Sequence, residues 1–375
     1  MKVVIYVNSL TSGGAERFVS YLASYLADCG EDVTVLTLKT TEIDYYKLNE
    51  KVRRLCLRTS SGGPFLKTRR CLALRDVIKS EKADVLVGIQ TTNAVLSILA
   101  AWGLPTKVVV CERNYPAINK VSWVYVLLRR LLYRFADLSV AQTERAAEWL
   151  KKNTKIRNIV VIPNPVSWPL PVVSPEVDPA LHIGPSDKCI LAVGSLRKIH
   201  QKGFDLLVRG FGMIAEHCPD WKLLIIGTDG KDNKSSQMLD LQSQVDELGL
   251  AGRVCFPGRV GNVSDWYGRA DIFVLSSRYE GMPNVLLEAM ASGCACVAFD
   301  CDTGPREIIT HDSDGMLVPL GDVKSLASTM DLLMHNASRR ARLGKNALSV
   351  RERFACEKVL SNWRKAIGSM FGDLL

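Results

Sequence analysis

The chain has no apolar run approaching the roughly 20 residues that cross a bilayer, so no segment of its 375 residues reads as a spanning helix. It has no G-x-G-x-x-G after its first strand, which argues against a dinucleotide-dependent dehydrogenase. It has no Cys/His finger and no basic region joined to heptads, so nucleic acid is not an expected partner. Its eleven cysteines are scattered, and none form a C-x2-C pair. Cys294, Cys296 and Cys301 lie close together, but the set reads as reduced, mostly buried thiols rather than zinc ligands. The five histidines, His182, His200, His217, His311 and His335, all lie beyond residue 168. That distribution excludes a histidine base in a first domain ending near residue 165.

Acidic residues are scarce in the first half. Residues 1–168 hold 25 Lys and Arg against 14 Asp and Glu, a net of +11, whereas the remainder holds 23 against 25, a net of −2. The basic half calls for an anionic partner such as acidic lipid, a lipid diphosphate or nucleic acid. Two basic stretches stand out there: Lys67, Arg69 and Arg70 open one helix, and Arg129, Arg130 and Arg134 punctuate VSWVYVLLRRLLYRF. The latter reads either as a core helix with snorkelling arginines or as a helix lying at a membrane surface.

What is present is a regular alternation. The length suggests two domains. In the first half, KVVIYVN, DVTVLTL, ADVLVGI, KVVVCE, DLSVAQT and IVVIPNPV are Val/Ile/Leu-rich runs separated by helical patterns. Such runs indicate a parallel sheet covered on both faces. The opening MKVVIYVNSLTSGG reads as a buried strand and turn rather than a signal peptide, so the expected location is cytoplasmic. Residues 163–187 hold seven prolines and no periodicity. The pattern then restarts with KCILAVGS, WKLLIIG, RVCFPG, ADIFVLS and CACVAF. We therefore expect a first domain over residues 1–165, a linker over 166–187 and a second α/β domain over 188–351.

The densest signal is SSRYEGMPNVLLEAMASG, residues 276–293. Glu280 and Glu288 lie eight positions apart on a strand, loop and helix N-terminus. Backbone N–H groups of Gly281, Met282 and Asn284 would be available to an anion there. Glu280 suits sugar hydroxyls and Glu288 a ribose. Spacing alone would equally describe a capped helix with two solvated glutamates. The companion VGSLRKIHQKGFDLL ends a strand at Gly194 and places Arg197 and Lys202 on the following loop, two cations suited to a leaving diphosphate. Glycines also punctuate strand ends at Gly13 and Gly14, at Gly227 and at Gly304. Each could let a ligand approach the backbone, or be a plain turn.

Together these residues resemble the family 4 retaining glycosyltransferases. The run from Glu280 to Glu288 is similar to that family's E-x7-E signature, and the likeness extends over nearly the whole chain. It implies the GT-B fold: α/β, two Rossmann-like domains with parallel sheets facing a central cleft, and a C-terminal helix, about 352–371, that packs back on the first domain. It implies that Arg197, Lys202 and Glu280 act in catalysis and that Gly13, Gly14, Gly194, Gly227, Val260, Gly281, Met282, Asn284, Glu288 and Gly304 line the donor site. Ser195 departs from the arginine usual at its step. Tyr267 lies near the base contact but is read as a core tyrosine, and Glu307 as ordering its loop. Asp300-Cys301-Asp302 looks like a D-x-D metal site, yet the GT-B pattern needs no metal or other cofactor. Relatives often carry a first-domain histidine; here Glu112 becomes the candidate for orienting the acceptor, or else a strand-end salt bridge.

The resemblance implies transfer, with retention and without metal, of a hexose or N-acetylhexosamine from a nucleotide sugar, UDP ahead of GDP. The acceptor would be a polyprenyl-diphosphate-linked glycan of bacterial surface polysaccharide, held by Lys67, Arg69 and Arg70. The enzyme would then sit peripherally on the cytoplasmic face of the inner membrane. Other readings are an epimerase or hydrolase of nucleotide sugars on the same scaffold, and a non-catalytic sugar-nucleotide binder at the membrane.

Overall fold

The computed structural model describes residues 1–11, 13–57, 66–119, 121–230 and 234–372. The chain divides into two compact units, Met1–Pro165 with Cys356–Leu375, and Val166–Ala355.

The first unit is built on seven strands: β1 (Lys2–Tyr6), β2 (Asp32–Thr37), β3 (Arg53–Cys56), β4 (Val85–Ile89), β5 (Lys107–Cys111), β6 (Leu138–Ala141) and β7 (Ile159–Val161). All neighbours pair in parallel, in the order β3-β2-β1-β4-β5-β6-β7. Between them run α1 (Gly14–Asp28), α2 (Leu66–Glu81), α3 (Thr91–Ala101), α4 (Trp123–Leu132) and α5 (Glu144–Thr154). Helix α1 shows why the units fold as they do. Phe18, Val19, Leu22, Ala23 and Leu26 fall on one face and are buried against the sheet. The helix ends where Gly30 takes φ +88° and its N–H bonds back to Ala27 O, a closure that glycine adopts without Cβ strain.

The second unit has six parallel strands: β8 (Lys188–Val193), β9 (Trp221–Ile226), β10 (Val254–Gly258), β11 (Ile272–Leu275), β12 (Ala295–Phe299) and β13 (Met316–Val318). Their order is β10-β9-β8-β11-β12-β13. The helices are α6 (Ile199–Lys202), α7 (Phe204–Gly212), α8 (Ser236–Glu247), α9 (Val263–Arg269), α10 (Asn284–Ala291), α11 (Pro305–Ile308), α12 (Val323–His335), α13 (Ala337–Ala347) and α14 (Val350–Arg353). In both sheets the strand order reverses beside the first strand. Open α/β sheets bind ligands outside the strands' carboxyl ends at such a reversal. In the second unit that point lies between β8 and β11.

Two features depart from the sequence reading. Edge strands β3 and β13 are absent from the apolar runs, because RRLC is half-exposed and charged and MLV is only three residues long. The expected linker is also not a free tether. Val166, Leu170 and Ile183 are buried in the second unit's core. Val166 N–H donates to Phe354 O at 2.8 Å, Val173 N–H to Gly261 O at 3.1 Å, and Trp266 Nε1 to Val177 O at 3.2 Å. Proline richness removed the periodicity without removing the packing.

The C-terminal helix, Cys356–Gly368, belongs to the first unit. Its start differs from the expected position near 352, because α14 stays with the second unit. Val359, Leu360, Trp363 and Ile367 enter the core beside α1, with the Trp363 and Phe18 ring centroids 5.2 Å apart. Arg364 meets Glu31 at 3.3 Å. Removing a fully buried indole costs about 3–5 kcal/mol. Trp363→Ala should therefore lower the urea midpoint of the first unit's unfolding. An unchanged midpoint would mean that this helix adds nothing to that unit's stability.

Candidate functional site

The loops at the β8/β11 reversal bring the main sequence candidates together. Lys202, expected on a loop, is the last residue of the short helix α6 after β8, the β11 loop carries Glu280, and Lys202 Nζ lies 2.7 Å from Glu280 Oε1. The same oxygen accepts from Ser277 Oγ at 2.6 Å. Ser276 Oγ donates to Lys202 O at 3.0 Å, and Arg278 N–H to Gln201 O at 2.8 Å. Arg278 adds a two-pronged contact to Asp205 at 2.8 and 2.6 Å. The loops approach so closely that a Cβ on Gly203, at φ +64°, would collide with the Ser276 carbonyl. Only glycine fits there. Thr303 Oγ1 donates to Glu280 O at 2.5 Å, which ties in the segment after β12.

Arg197 is exposed, and its Nε donates to Asp229 O at 2.7 Å. Gly194 follows β8; its N–H donates to Ile226 O at 2.9 Å, and the Lys202 stem runs beside it. Gly227 ends β9 so close to the Gly194 carbonyl that a Cβ would strike it. Gly281 and Met282 are buried in the loop leading into α10, and Asn284 opens that helix half-buried. Gly304, at φ +97°, packs against Pro283 and the Gly281 carbonyl. Val260 is half-buried against the second unit's core.

Glu288 lies one turn into α10 and is 5% exposed. The Tyr267 hydroxyl donates to Glu288 Oε2 at 3.1 Å. Tyr267 is a core residue, as read, and it also orients this carboxylate. The periodicity of DWYGRAD marks Tyr267 as buried but gives no sign of a partner 21 residues away. Asp300 of the D-x-D run is held by Arg306 through contacts of 2.8 and 2.6 Å. Glu307 sits in α11, its N–H donating to Gly304 O.

The first unit holds the remaining candidates. Gly13 caps α1 in an extended conformation, with the Glu16 carboxylate folded against it, and Gly14 begins the helix. Ser12 of that turn lies outside the described residues. Glu112 does not present its carboxylate to an open surface. It is 2% exposed, accepts from Thr91 Oγ1 at 2.9 Å and Tyr133 Oη at 2.7 Å, and lies 3.7 Å from Arg129 Nη1. Of the two roles offered by the sequence, the geometry carries the interior salt bridge. Neighbouring Arg113 stacks 3.8 Å from the Phe18 ring and donates to Asn164.

Arg129 does not snorkel. It is 2% exposed, lies 4.6 Å from the Trp149 ring and donates to Pro116 O. The apolar side of α4 points outward instead. Trp123 is 76% exposed, Leu127 46% and Leu131 45%, and Phe135 just beyond the helix is 49% exposed. Arg130 and Arg134 are exposed on the same stretch. On α2, Lys67 lies 5.6 Å from the Tyr125 ring. Burial, then neighbouring Arg70, holds its ammonium below the usual lysine range. Among the described residues, buried Arg70 Nε and Tyr6 Oη find no hydrogen-bond partner. Arg69 is exposed on the same turn.

Two family models divide the chain between them. Glycosyl transferase 4-like domain matches residues 13–165, and Glycosyl transferases group 1 matches residues 187–336. The chain is a glycosyltransferase, with a 4-like first domain and a group 1 second domain. An N-acetylgalactosaminyltransferase of Campylobacter jejuni, named for transfer to GalNAc-alpha-(1->4)-GalNAc-alpha-(1->3)-diNAcBac-PP-undecaprenol, is 26% identical over 99% of each chain. An uncharacterised glycosyltransferase of Haemophilus influenzae is also 26% identical, over 96% of this chain and 97% of its own. Among solved structures, sucrose-phosphate synthase from Thermosynechococcus elongatus superimposes with TM-score 0.86 at 19% identity, covering 99% of both chains. Anabaena HepE in complex with UDP and glucose gives 0.81 at 19%, over 98% of this chain and 100% of its own. The fold of this glycosyltransferase is thus GT-B, with two parallel-sheet Rossmann-like domains.

The Glu112 network makes a pH prediction. Burial raises its carboxyl pKa above the ordinary 4.5, against the opposing pull of Arg129, Tyr133 and Thr91. The folded state therefore holds this proton more tightly than the unfolded state. The associated stability is fully present below about 4.5 and is lost as pH climbs through the raised folded value. Glu112→Gln should remove that part of the pH dependence, although leaving Arg129 without its counter-charge lowers stability overall. Superimposable slopes of unfolding free energy against pH for the two proteins would refute the assignment.

Proposed function

We propose that this glycosyltransferase moves a hexose or N-acetylhexosamine from a nucleotide sugar, UDP-linked, onto a polyprenyl-diphosphate-linked glycan in bacterial surface-glycan assembly. The carrying observation is the Lys202–Glu280 pair at the β8/β11 reversal of a Rossmann-like sheet, with Glu288 buried one turn into the helix that follows Glu280. Glu280 would accept sugar hydroxyls. Glu288, oriented by Tyr267, would accept those of the ribose. Arg197 and Lys202 would stabilise the charge released with the diphosphate. The undecaprenol-linked substrate in the name of the Campylobacter relative supports the acceptor class. UDP in the Anabaena neighbour makes it the first nucleotide to test.

The reaction we propose proceeds with retention. The sugar C1–diphosphate bond breaks as the acceptor oxygen bonds C1 from the same face, and the acceptor proton passes to the departing diphosphate oxygen. This route needs neither a protein nucleophile nor a metal.

We further place the protein peripherally at the cytoplasmic face of an anionic inner membrane. Among the described residues, no helix is long and apolar enough to cross a membrane. The exposed stripe of Trp123, Leu127, Leu131 and Phe135, with Arg130 and Arg134 beside it, has the make-up of an interfacial helix. Lys67, Arg69 and Arg70 supply positive charge for the lipid diphosphate.

Glu288→Ala should weaken UDP binding by about 1.5–3 kcal/mol, roughly ten- to a hundred-fold. Glu280→Ala should impair transfer more than UDP binding. Calorimetry and turnover with EDTA present test both at once. An unchanged UDP affinity in Glu288→Ala removes the ribose role, and turnover that vanishes in EDTA and returns with Mn²⁺ reinstates a metal.

The acceptor reading makes a separate prediction. Basic residues near acidic lipid contribute about 1 kcal/mol each, and the effect fades with salt. Replacing Lys67, Arg69 and Arg70 together by Ala should raise the acceptor KM and reduce co-sedimentation with anionic vesicles, leaving UDP affinity unchanged. Wild-type vesicle binding and acceptor kinetics in the triple variant would leave these residues as a solvated helix face.

A further inference from the structure

We propose that Cys218, Asp331 and His335 form a binding site for a zinc-class divalent ion, distinct from the transfer site. One donor atom from each residue lies within 4.8 Å of the others, the only such group of three among the described residues. Cys218 precedes β9 and is 3% exposed; Asp331 and His335 stand one turn apart at the end of α12.

The tautomer follows from the neighbours. His335 Nδ1 lies 3.0 Å from the Asp331 carbonyl oxygen and 3.3 Å from its Oδ1. Two acceptors at Nδ1 place the ring hydrogen there. The Nε2 lone pair is then left facing Cys218 Sγ, 3.9 Å away. A backbone carbonyl holding the far nitrogen is an ordinary support of a zinc-bound imidazole; with the Asp331 carbonyl in that role, its carboxylate is left to turn toward the ion as the third ligand. Zinc–sulfur and zinc–nitrogen bonds of about 2.3 and 2.1 Å at a tetrahedral angle separate the two donors by about 3.6 Å. The observed gap needs a closure of only a few tenths of an ångström. As an S–H···N hydrogen bond, the same gap is long.

Thiolate, imidazole and carboxylate together favour zinc over magnesium or calcium. Binding releases the Cys218 proton to solvent. Asp220 faces the thiol and favours a cation, whereas Arg253 and Lys188 oppose it. His335 is exposed, which gives an entry path and room for water as a fourth ligand. The site lies at the amino end of β9, whereas the Lys202–Glu280 cluster lies at the carboxyl ends of its neighbours. Its effect is therefore structural: the ion would pin the end of α12 to the turn entering β9.

The test uses the full chain, reduced with a non-thiol reductant. Zn²⁺ is titrated against a chromophoric chelator for wild type, Cys218→Ser and His335→Gln. We expect about one equivalent in the wild type, weakened at least about ten-fold in each variant. Co²⁺ should give a thiolate-to-metal charge-transfer band that Cys218→Ser abolishes. Zn²⁺ should raise Tm, because it binds only the folded state. No bound equivalent, or an equivalent that survives in both variants, overturns the proposal. His335 is exposed, so its variant remains informative even if Cys218→Ser folds poorly.

Discussion

The ion pair between Lys202 and Glu280 organises the second unit's site. Their side chains are 17% and 8% exposed, so both charges have given up most of their water. Such burial costs several kcal/mol per ion, and the mutual attraction recovers it only when the remaining lone pairs and protons are also satisfied. Ser277 supplies that second donor to Glu280 at 2.6 Å. The surrounding loop contacts follow as conditions for holding the pair. Ser276 to Lys202 O and Arg278 to Gln201 O fix the spacing of the two loops. That spacing in turn requires glycine at 203, where any side chain would meet the Ser276 carbonyl.

The pair also sets what the site can take. Lys202 is not a free cation waiting for phosphate; it is held by a carboxylate. On the proposed reading an entering diphosphate shares the ammonium with Glu280 and also meets the exposed Arg197, whose Nε donates to Asp229 O. Glu288 stands apart from this balance. The neutral Tyr267 hydroxyl donates to it, and on the proposed reading its carboxylate meets a polar, hydroxyl-bearing group. On the proposed reading, a glutamate held by Lys202 and one held by a tyrosine hydroxyl give the sugar and ribose ends of the donor different surroundings.

The strands buried on both faces were legible as Val/Ile/Leu runs, because a parallel sheet leaves no face for polar alternation. So were the segments holding Lys202 and Glu280, whose glycines, proline and charges sit at fixed offsets from strand ends. Edge strands β7 and β10 were legible too, but β3 and β13 were not, since an edge tolerates charge and short length. Residues 166–187 were misread for a related reason. Their order comes from Asn262, Trp266 and Gly261, more than 80 residues away, and no local pattern reports it. The partners of Glu112, Glu288 and Cys218 share that character: each is a polar group whose contact is made by the fold.

Helix α4 shows how such long-range contacts can invert a local pattern. Read alone, WVYVLLRRLL asks for its leucines inward and its arginines outward. Buried Glu112 changes the balance, because a carboxylate 2% exposed needs a cation within reach and Arg129 provides it. Rotating α4 to bring Arg129 inward carries Leu127 and Leu131, two positions to either side, outward with Trp123. Tyr125, Leu128 and Leu132 still pack on the core, so the helix is not misplaced. The exposed apolar stripe is thus coupled to the buried charge pair. A helix that served only the core would lose little by replacing both members of the pair with apolar residues. On the proposed reading the outward stripe has a use of its own at a membrane surface, which its tryptophan, leucines and flanking arginines would suit.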